Sequence, residues 1–185
     1  MFRPVGCHAA HLALAALALA TSAAPAAAAV RTFSYDPADE ATRKVAGDLT
    51  FQFNQRLVFT KVLNIRSTEG QASAALRPAD EHALGAGGLS RLIGADGRER
   101  DLYEVEPAAQ GADMIHAFCP GSSRAWLAFG RLVEGEPLRV RVLGDAPGGG
   151  ARLCHTFAFN YRGEWKLPAG PGVKPSELKE PHFPY

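Results

Sequence analysis

The chain has 185 residues, of which 46% are hydrophobic, and its 20 lysines and arginines nearly balance its 19 aspartates and glutamates. A net charge this close to zero gives no electrostatic basis for binding a polyanion. We therefore expect no nucleic-acid partner, and we expect no binding driven by charge to an anionic membrane surface.

The first 29 residues have the pattern of a secretory signal peptide. Arg3 precedes an Ala/Leu run over residues 11–20, and small residues follow as far as Ala29. A run of roughly 10 residues is the length of a signal peptide's apolar region and is too short to cross a bilayer. We predict cleavage after Ala29 or a few residues earlier, a periplasmic or secreted location, and no membrane span in the mature chain. An uncleaved anchor helix is the alternative.

Two cysteines remain after cleavage, because Cys7 lies inside the signal segment. In an oxidising compartment, Cys119 and Cys154 are expected to form one disulfide. The bond would close a loop of 35 residues (154 − 119), which is worth roughly 3–4 kcal/mol in the chain-entropy model.

The mature chain is long enough for one domain with its own core. We expect a single β-rich domain over residues 30–167 and a disordered tail over residues 168–185, which is rich in proline and charge.

The first predicted element is a short helix from about Pro37 to Ala46. Asp36 suits the N-cap, and proline at the next position needs no amide hydrogen. Gly47 suits a left-handed stop.

An apolar residue at every second position then indicates strands. This alternating pattern begins at Leu49, Phe51 and Phe53. It continues in "RLVFTKVLNIRST", where the residues of one parity include Leu57, Phe59, Leu63 and Ile65. A third strand would end at Pro78. We predict one helical turn over residues 89–93 and a tight turn at Asp96-Gly97.

Further short strands are predicted over residues 102–106, 114–119, 124–132, 138–142 and 152–161, with a turn at Arg162-Gly163 before "EWKLP". Seven or eight short strands with little helix predict a mostly β fold. We expect an antiparallel β-sandwich or a small barrel, with one short N-terminal helix and one disulfide.

The stretch "AFCPGSSRAWLAFG", residues 117–130, is the part of the sequence that most resembles a catalytic or metal-binding site. Ser123 lies in a G-x-S-x-A pattern, and Asp145 and His155 follow in the chain order of an α/β-hydrolase triad. Only 22 residues (145 − 123) separate the serine from the aspartate, which leaves no room for the crossover helices of that fold. We predict no catalytic residue, with a small serine hydrolase as the least favoured alternative.

A metal site is also unfavourable in this sequence. His116, Cys119, Cys154 and His155 would supply two nitrogens and two sulfurs. If both segments are strands, however, each histidine points away from its neighbouring cysteine. We expect no metal and no cofactor.

The same parity places histidines among aromatic side chains. The candidate ligand-binding residues are His116, Phe118, His155, Phe157 and Phe159. A core with hydrogen-bonded histidines is the more ordinary interpretation. The basic residues Arg131, Arg139, Arg141 and Arg152 are interpreted as a solvated sheet face, in keeping with the neutral net charge.

Six segments resemble a family of small exported bacterial proteins of uncharacterised function: "FSYDP", "GDLTFQF", "RDLYEV", "FCPGSSRAWLAFG", "RVLGD" and "GEWKLP". The resemblance covers most of the mature chain. It implies a single periplasmic domain with a cysteine pair at Cys119 and Cys154, and it implies no activity.

The sequence thus predicts an exported soluble β-domain that is not an enzyme and has a non-catalytic binding or accessory role in the bacterial envelope. The expected partner is another envelope protein. The main alternative is a carrier of a small apolar ligand, with the histidine and aromatic residues forming its pocket.

Overall fold

The computed structural model describes residues 29–55, 60–69, 71–94 and 97–165. The predicted signal segment up to residue 28 and the predicted tail lie outside the described residues. So do three residues used in the strand and turn predictions, Leu57, Phe59 and Asp96.

Eight antiparallel strands form a closed barrel in which each strand pairs with its neighbours in the sequence and the last pairs with the first. The strands are β1 (Ala29–Pro37), β2 (Leu49–Gln55), β3 (Thr60–Ser67), β4 (Ser73–Pro78), β5 (Asp101–Val105), β6 (Ala125–Phe129), β7 (Leu138–Asp145) and β8 (Ala151–Trp165). The mostly β prediction is confirmed, and of its two architectures the barrel is the correct one.

Three short α-helices lie in the connections: α1 (Glu40–Val45), α2 (Gly88–Ile93) and α3 (Gly111–Phe118). The described helices are all too short or too polar to span a membrane. The predicted start of α1 was wrong, because Asp36 and Pro37 belong to β1. Asp39 is the N-cap instead, and its carboxylate accepts the amide of Thr42 at 2.7 Å.

Closure of the barrel depends on β8. The first part of this 15-residue strand pairs with β7, and the second part pairs with β1 as far as Trp165 opposite Thr32. The predicted turn at Arg162-Gly163 was therefore wrong. The register instead shifts there, between Ser34 and Tyr35 of β1, so the strand continues past an irregularity.

The side chains that alternate inward fill the barrel. Large aromatic residues dominate, and those at 1% exposure or less include Phe33, Tyr35, Phe51, Phe53, Phe129, Phe157 and Phe159. The ring centroids of Phe51 and Phe129 lie 5.2 Å apart across the interior. A register shift after Gln52 moves Val62 inward and leaves Leu63 half-buried, so the uniform parity predicted for β3 was wrong.

One end of the barrel is closed by α3, a segment for which a strand was predicted. Met114, Ile115 and Phe118 are buried against the inner core, whereas His116 is exposed. This spacing is helical, and the short run of apolar residues fits either period. Gly111 begins the helix where any side chain would overlap the carbonyl of Glu106.

The other end is closed by an ion-pair network around Arg31, which points inward over the ring of Phe33. Its guanidinium donates to both oxygens of Glu164, at 2.6 and 2.7 Å, and to Glu134 at 3.0 Å. The guanidinium also donates a hydrogen bond to the side-chain oxygen of Gln55. The Glu164 hydrogen bonds hold the pKa of Arg31 above its usual range, so the guanidinium stays charged at the mouth.

A second apolar layer covers the outside of β5–β8. Residues 79–94 fold back along this face, and Leu84 and Leu89 pack on Trp126, Leu102 and Leu143. Every residue of β6 is therefore buried, with alternate side chains in the inner and the outer layer.

The predicted disulfide is confirmed. Cys119 directly follows α3 and is bonded to Cys154 of β8, with the two Cα atoms 5.4 Å apart. Gly144 of β7 lies against it, and any side chain there would overlap the Cys119 sulfur. The bond therefore ties the closing helix to the strand that completes the barrel.

We expect the double variant C119A/C154A to lose roughly 3–4 kcal/mol of unfolding free energy, because the unfolded chain regains the freedom of a 35-residue loop. Urea unfolding at neutral pH measures this loss. The urea dependence of that free energy should also rise, because the unfolded state becomes less compact. A loss below about 1 kcal/mol would contradict the role assigned to the bond.

Candidate functional site

The turn that follows α3 is built around Asp145, at the end of β7. Its carboxylate accepts the amides of Ser123 and Arg124, each at 2.8 Å, and the Ser123 hydroxyl at 2.9 Å. These hydrogen bonds, with the Arg124 amide contributing most, hold the pKa of Asp145 below its usual value. Asp145 therefore stabilises this turn through hydrogen bonds.

The residues of the hypothetical triad do not form a relay. Ser123 hydrogen-bonds directly to Asp145, which in a triad would instead orient the histidine. His155 lies on β8 opposite Val142 and stacks on the ring of Phe157, with the centroids 5.5 Å apart. No hydrogen bond joins His155 to Ser123 in the described part of the chain.

The four residues that were considered and rejected as metal donors do not converge. Both cysteines are consumed by the disulfide, and His116 is exposed on α3. Among the described residues, no group of three or more His, Cys, Asp or Glu could hold a metal ion. The parity argument for His116 was wrong because it assumed a strand where the chain is helical.

The predicted ligand-binding aromatic residues are brought together, but as packed core. Phe118 meets Phe157 edge-to-face at 5.2 Å, and Phe157 meets Phe159 at 6.1 Å. All three are 1% exposed. His155 is half-buried at the border of this cluster, and His116 is not part of it. The three rings therefore bury their apolar surfaces against one another.

Two open grooves lie on the outside of the barrel. The first, which we call the arginine groove, has a volume of about 780 Å³ and is lined by Arg98, Arg131, Arg139, Val133, Ala158 and neighbouring residues. It lies between the β6–β7 connection, residues 130–137, and the outer face of β7 and β8.

The second, which we call the amide groove, also has a volume of about 780 Å³ and lies on the outer face of β1–β4. It is lined mainly by hydroxyl and amide side chains, with Arg66 the single ionic group among the lining residues. The strand register aligns Thr32, Gln52 and Asn64 in one row across three strands. Asn64 donates to Gln52 at 2.9 Å, so some of the hydrogen-bonding groups in this row are paired with one another.

The sequence did not single out either groove as a site. Arg131 and Arg139 were noted as part of a solvated face, while Arg98 was not considered, since the fold brings it in from a separate connection. Outward parity on β7 was the one available signal. Arg141 and Arg152 do not join the groove, because Arg141 pairs with Glu99 and Arg152 donates to the carbonyl of Pro120.

No protein-family model, no curated protein and no solved structure matches this chain. The assignment of function therefore rests on the geometry of the described residues.

We expect the variant F157A to lose about 3–5 kcal/mol of unfolding free energy, because truncation leaves a cavity among rings that are already packed. The variant H116A, on the exposed face of α3, should stay within about 0.5 kcal/mol of the parent. Urea unfolding compares the two variants. A loss below about 1 kcal/mol for F157A would indicate that the ring lines an open cavity.

We expect the variant D145N to lose about 1–2 kcal/mol of unfolding free energy, because the amide replaces a charged acceptor of three hydrogen bonds at a half-buried position. Because folding lowers the pKa of Asp145, the stabilisation by its carboxylate is complete above the pKa of the unfolded chain, which is near 4. The stabilisation is lost as the pH falls through the pKa of the folded state. Unfolding curves from pH 7 to pH 2 measure both effects.

Two variants control for D145N. S123A removes one of the three hydrogen bonds and should cost about half as much. E69Q removes an exposed carboxylate and should change neither the stability nor its pH dependence. An unchanged acid limb in D145N would contradict the assigned role of Asp145.

Proposed function

We propose that this protein is an exported, non-catalytic binding domain of the cell envelope, which holds its partner or ligand on the outer surface of a filled barrel. The proposal is supported above all by the occupied interior. An eight-stranded barrel is just wide enough either to be filled by side chains or to hold one small ligand, and here the inward aromatic residues contact one another.

The two closed ends support the same conclusion. The apolar face of α3 covers one end and the disulfide fixes it there. At the other end, the Arg31 network puts a guanidinium and a carboxylate over the core, with the Glu164 side chain only 9% exposed. An apolar ligand entering by this mouth would have to break charge-assisted hydrogen bonds, which disfavours the carrier alternative.

An exported location is supported by the signal-like segment and by the disulfide, which forms and persists in oxidising compartments. A non-catalytic role is supported by the chemistry of the turn, where the serine is bound to the aspartate and not to an imidazole. The two outer grooves are concave surfaces of the described residues that expose polar groups to a partner.

The proposal is tested by photo-crosslinking from single positions in the living host. A photoreactive residue replaces Asn160 in the arginine groove, Asn64 in the amide groove, or Arg43 on the exposed side of α1 as the control. We expect a discrete adduct from at least one groove position and none from Arg43. Native mass spectrometry of the protein purified from the same cells should show the mass of the chain alone.

Two results would contradict the proposal. The first is an apolar small molecule that co-purifies with the folded protein at one equivalent, which would favour the carrier. The second is the same weak crosslinking from all three positions, which would mean that neither groove has a dedicated partner.

A further inference from the structure

The arginine groove contains most of the arginine side chains that have no partner among the described residues. Most arginine side chains in the described part of the chain are held by a carboxylate or a carbonyl oxygen; these are Arg31, Arg43, Arg77, Arg91, Arg124, Arg141, Arg152 and Arg162. Five arginines have no ion pair or side-chain hydrogen bond to any described residue, and three of them, Arg98, Arg131 and Arg139, line one groove. The other two are Arg66 and Arg100, which lie elsewhere.

Separate parts of the fold bring these three guanidinium groups together. Arg139 is on the outward face of β7, opposite Ala158 of β8. Arg131 is in the β6–β7 connection, which the buried Leu132 anchors in the core. Arg98 reaches the groove because residues 98–100 run beside the end of β6, where the Arg100 amide donates to the Phe129 carbonyl at 3.2 Å.

The nearby carboxylates do not neutralise this cluster. Glu99 is only 5% exposed, and one of its oxygens accepts the Arg141 guanidinium at 3.1 Å. Glu136 also lines the groove, but it forms no ion pair within 4.0 Å with any described arginine. The three free guanidinium groups therefore leave the groove with unbalanced positive charge.

The floor of the groove is small and apolar. Ala38 and Ala158 lie side by side, because the Ala38 amide donates to the Ala158 carbonyl at 2.8 Å. Val133, Pro137 and Leu138 form the adjoining wall. A volume of about 780 Å³ is in the range of sites that bind small molecules.

We infer that the arginine groove binds a small organic anion, in which a carboxylate or phosphate group meets Arg98, Arg131 and Arg139 and a compact apolar part rests on the alanine floor. Guanidinium groups recognise both kinds of anion through paired N–H donors. A polyanion is disfavoured, since the net charge of the chain is only +1 and basic groups elsewhere on the described surface are mostly paired. The inference rests on the proposed function and names the ligand class of one of its two grooves.

The test is an NMR titration of the uniformly ¹⁵N-labelled mature protein with four probes: inorganic phosphate, phenyl phosphate, phenylacetate and benzyl alcohol. We expect at least one aryl anion to give saturable shifts at residues 98, 131, 139 and 158. It should bind more tightly than inorganic phosphate, because its ring contacts the floor, and binding should weaken as sodium chloride is added. Benzyl alcohol should give no saturable shift. Whichever aryl anion binds more tightly identifies the anionic group.

Charge variants tie the binding to the groove. R131Q/R139Q removes two of the three guanidinium groups and should weaken binding by about tenfold or more. K44Q/K61Q removes one positive charge from α1 and one from β3, outside both grooves, and should change affinity by less than about twofold. E136Q should strengthen binding by about two- to fivefold, because it removes a repulsive carboxylate. A gain of affinity cannot arise from misfolding.

The inference is overturned if none of the three anions gives saturable shifts at millimolar concentration, or if K44Q/K61Q weakens binding as much as R131Q/R139Q does. It is also overturned if E136Q leaves the affinity unchanged while R131Q/R139Q has no effect. These failures are separable from failure of the proposed function, because crosslinking from Asn160 in the same groove does not depend on an anion.

Discussion

The pairing of β8 with both β7 and β1 is the constraint on which the rest of the structure depends. An open sheet of eight strands would expose two unpaired edges and need a second layer to cover its apolar face. A 15-residue last strand removes both edges and lets the sheet cover itself. The register shifts in the β1–β8, β2–β3 and β7–β8 pairs supply the local bends that closure needs.

Closure with eight strands also limits what the interior can do. The barrel is narrow, and long aromatic side chains from opposite walls meet at its axis, as Phe51 and Phe129 do. The ends of such a filled barrel therefore need a covering over the core more than an opening for a ligand. Here α3 supplies an apolar lid, held by a disulfide, and the Arg31 network supplies a polar lid. Concave surfaces that can take a partner are in consequence found on the outside.

Strand prediction succeeded where one face of a strand is buried, because an apolar side chain at every second position reports burial directly. Leu49, Phe51 and Phe53 are an example, and all are fully buried on β2. It failed at α3, where a run of eight residues fits both periods and only the open end of the barrel selects the helix. It also failed at Asp36 and Pro37, because a proline that can begin a helix can equally end a strand whose last amide needs no partner.

Site prediction divides in the same way. The two cysteines that follow the predicted signal segment can pair in only one way, so the bond between Cys119 and Cys154 followed from counting. The aromatic residues 118, 157 and 159 meet in the structure, but a pattern of apolar residues cannot tell a filled core from a lined cavity. That distinction depends on barrel width and on what covers the ends.

By itself, the sequence determined the β class and the covalent framework, because each depends on neighbouring residues or on a count. Only the tertiary structure decided that the sheet closes and that the interior is full. It alone brought Arg98 from one connection to Arg131 in another and to Arg139 on β7. The physical reason is that closure and convergence depend on contacts between segments far apart in the chain, and no local period records such contacts.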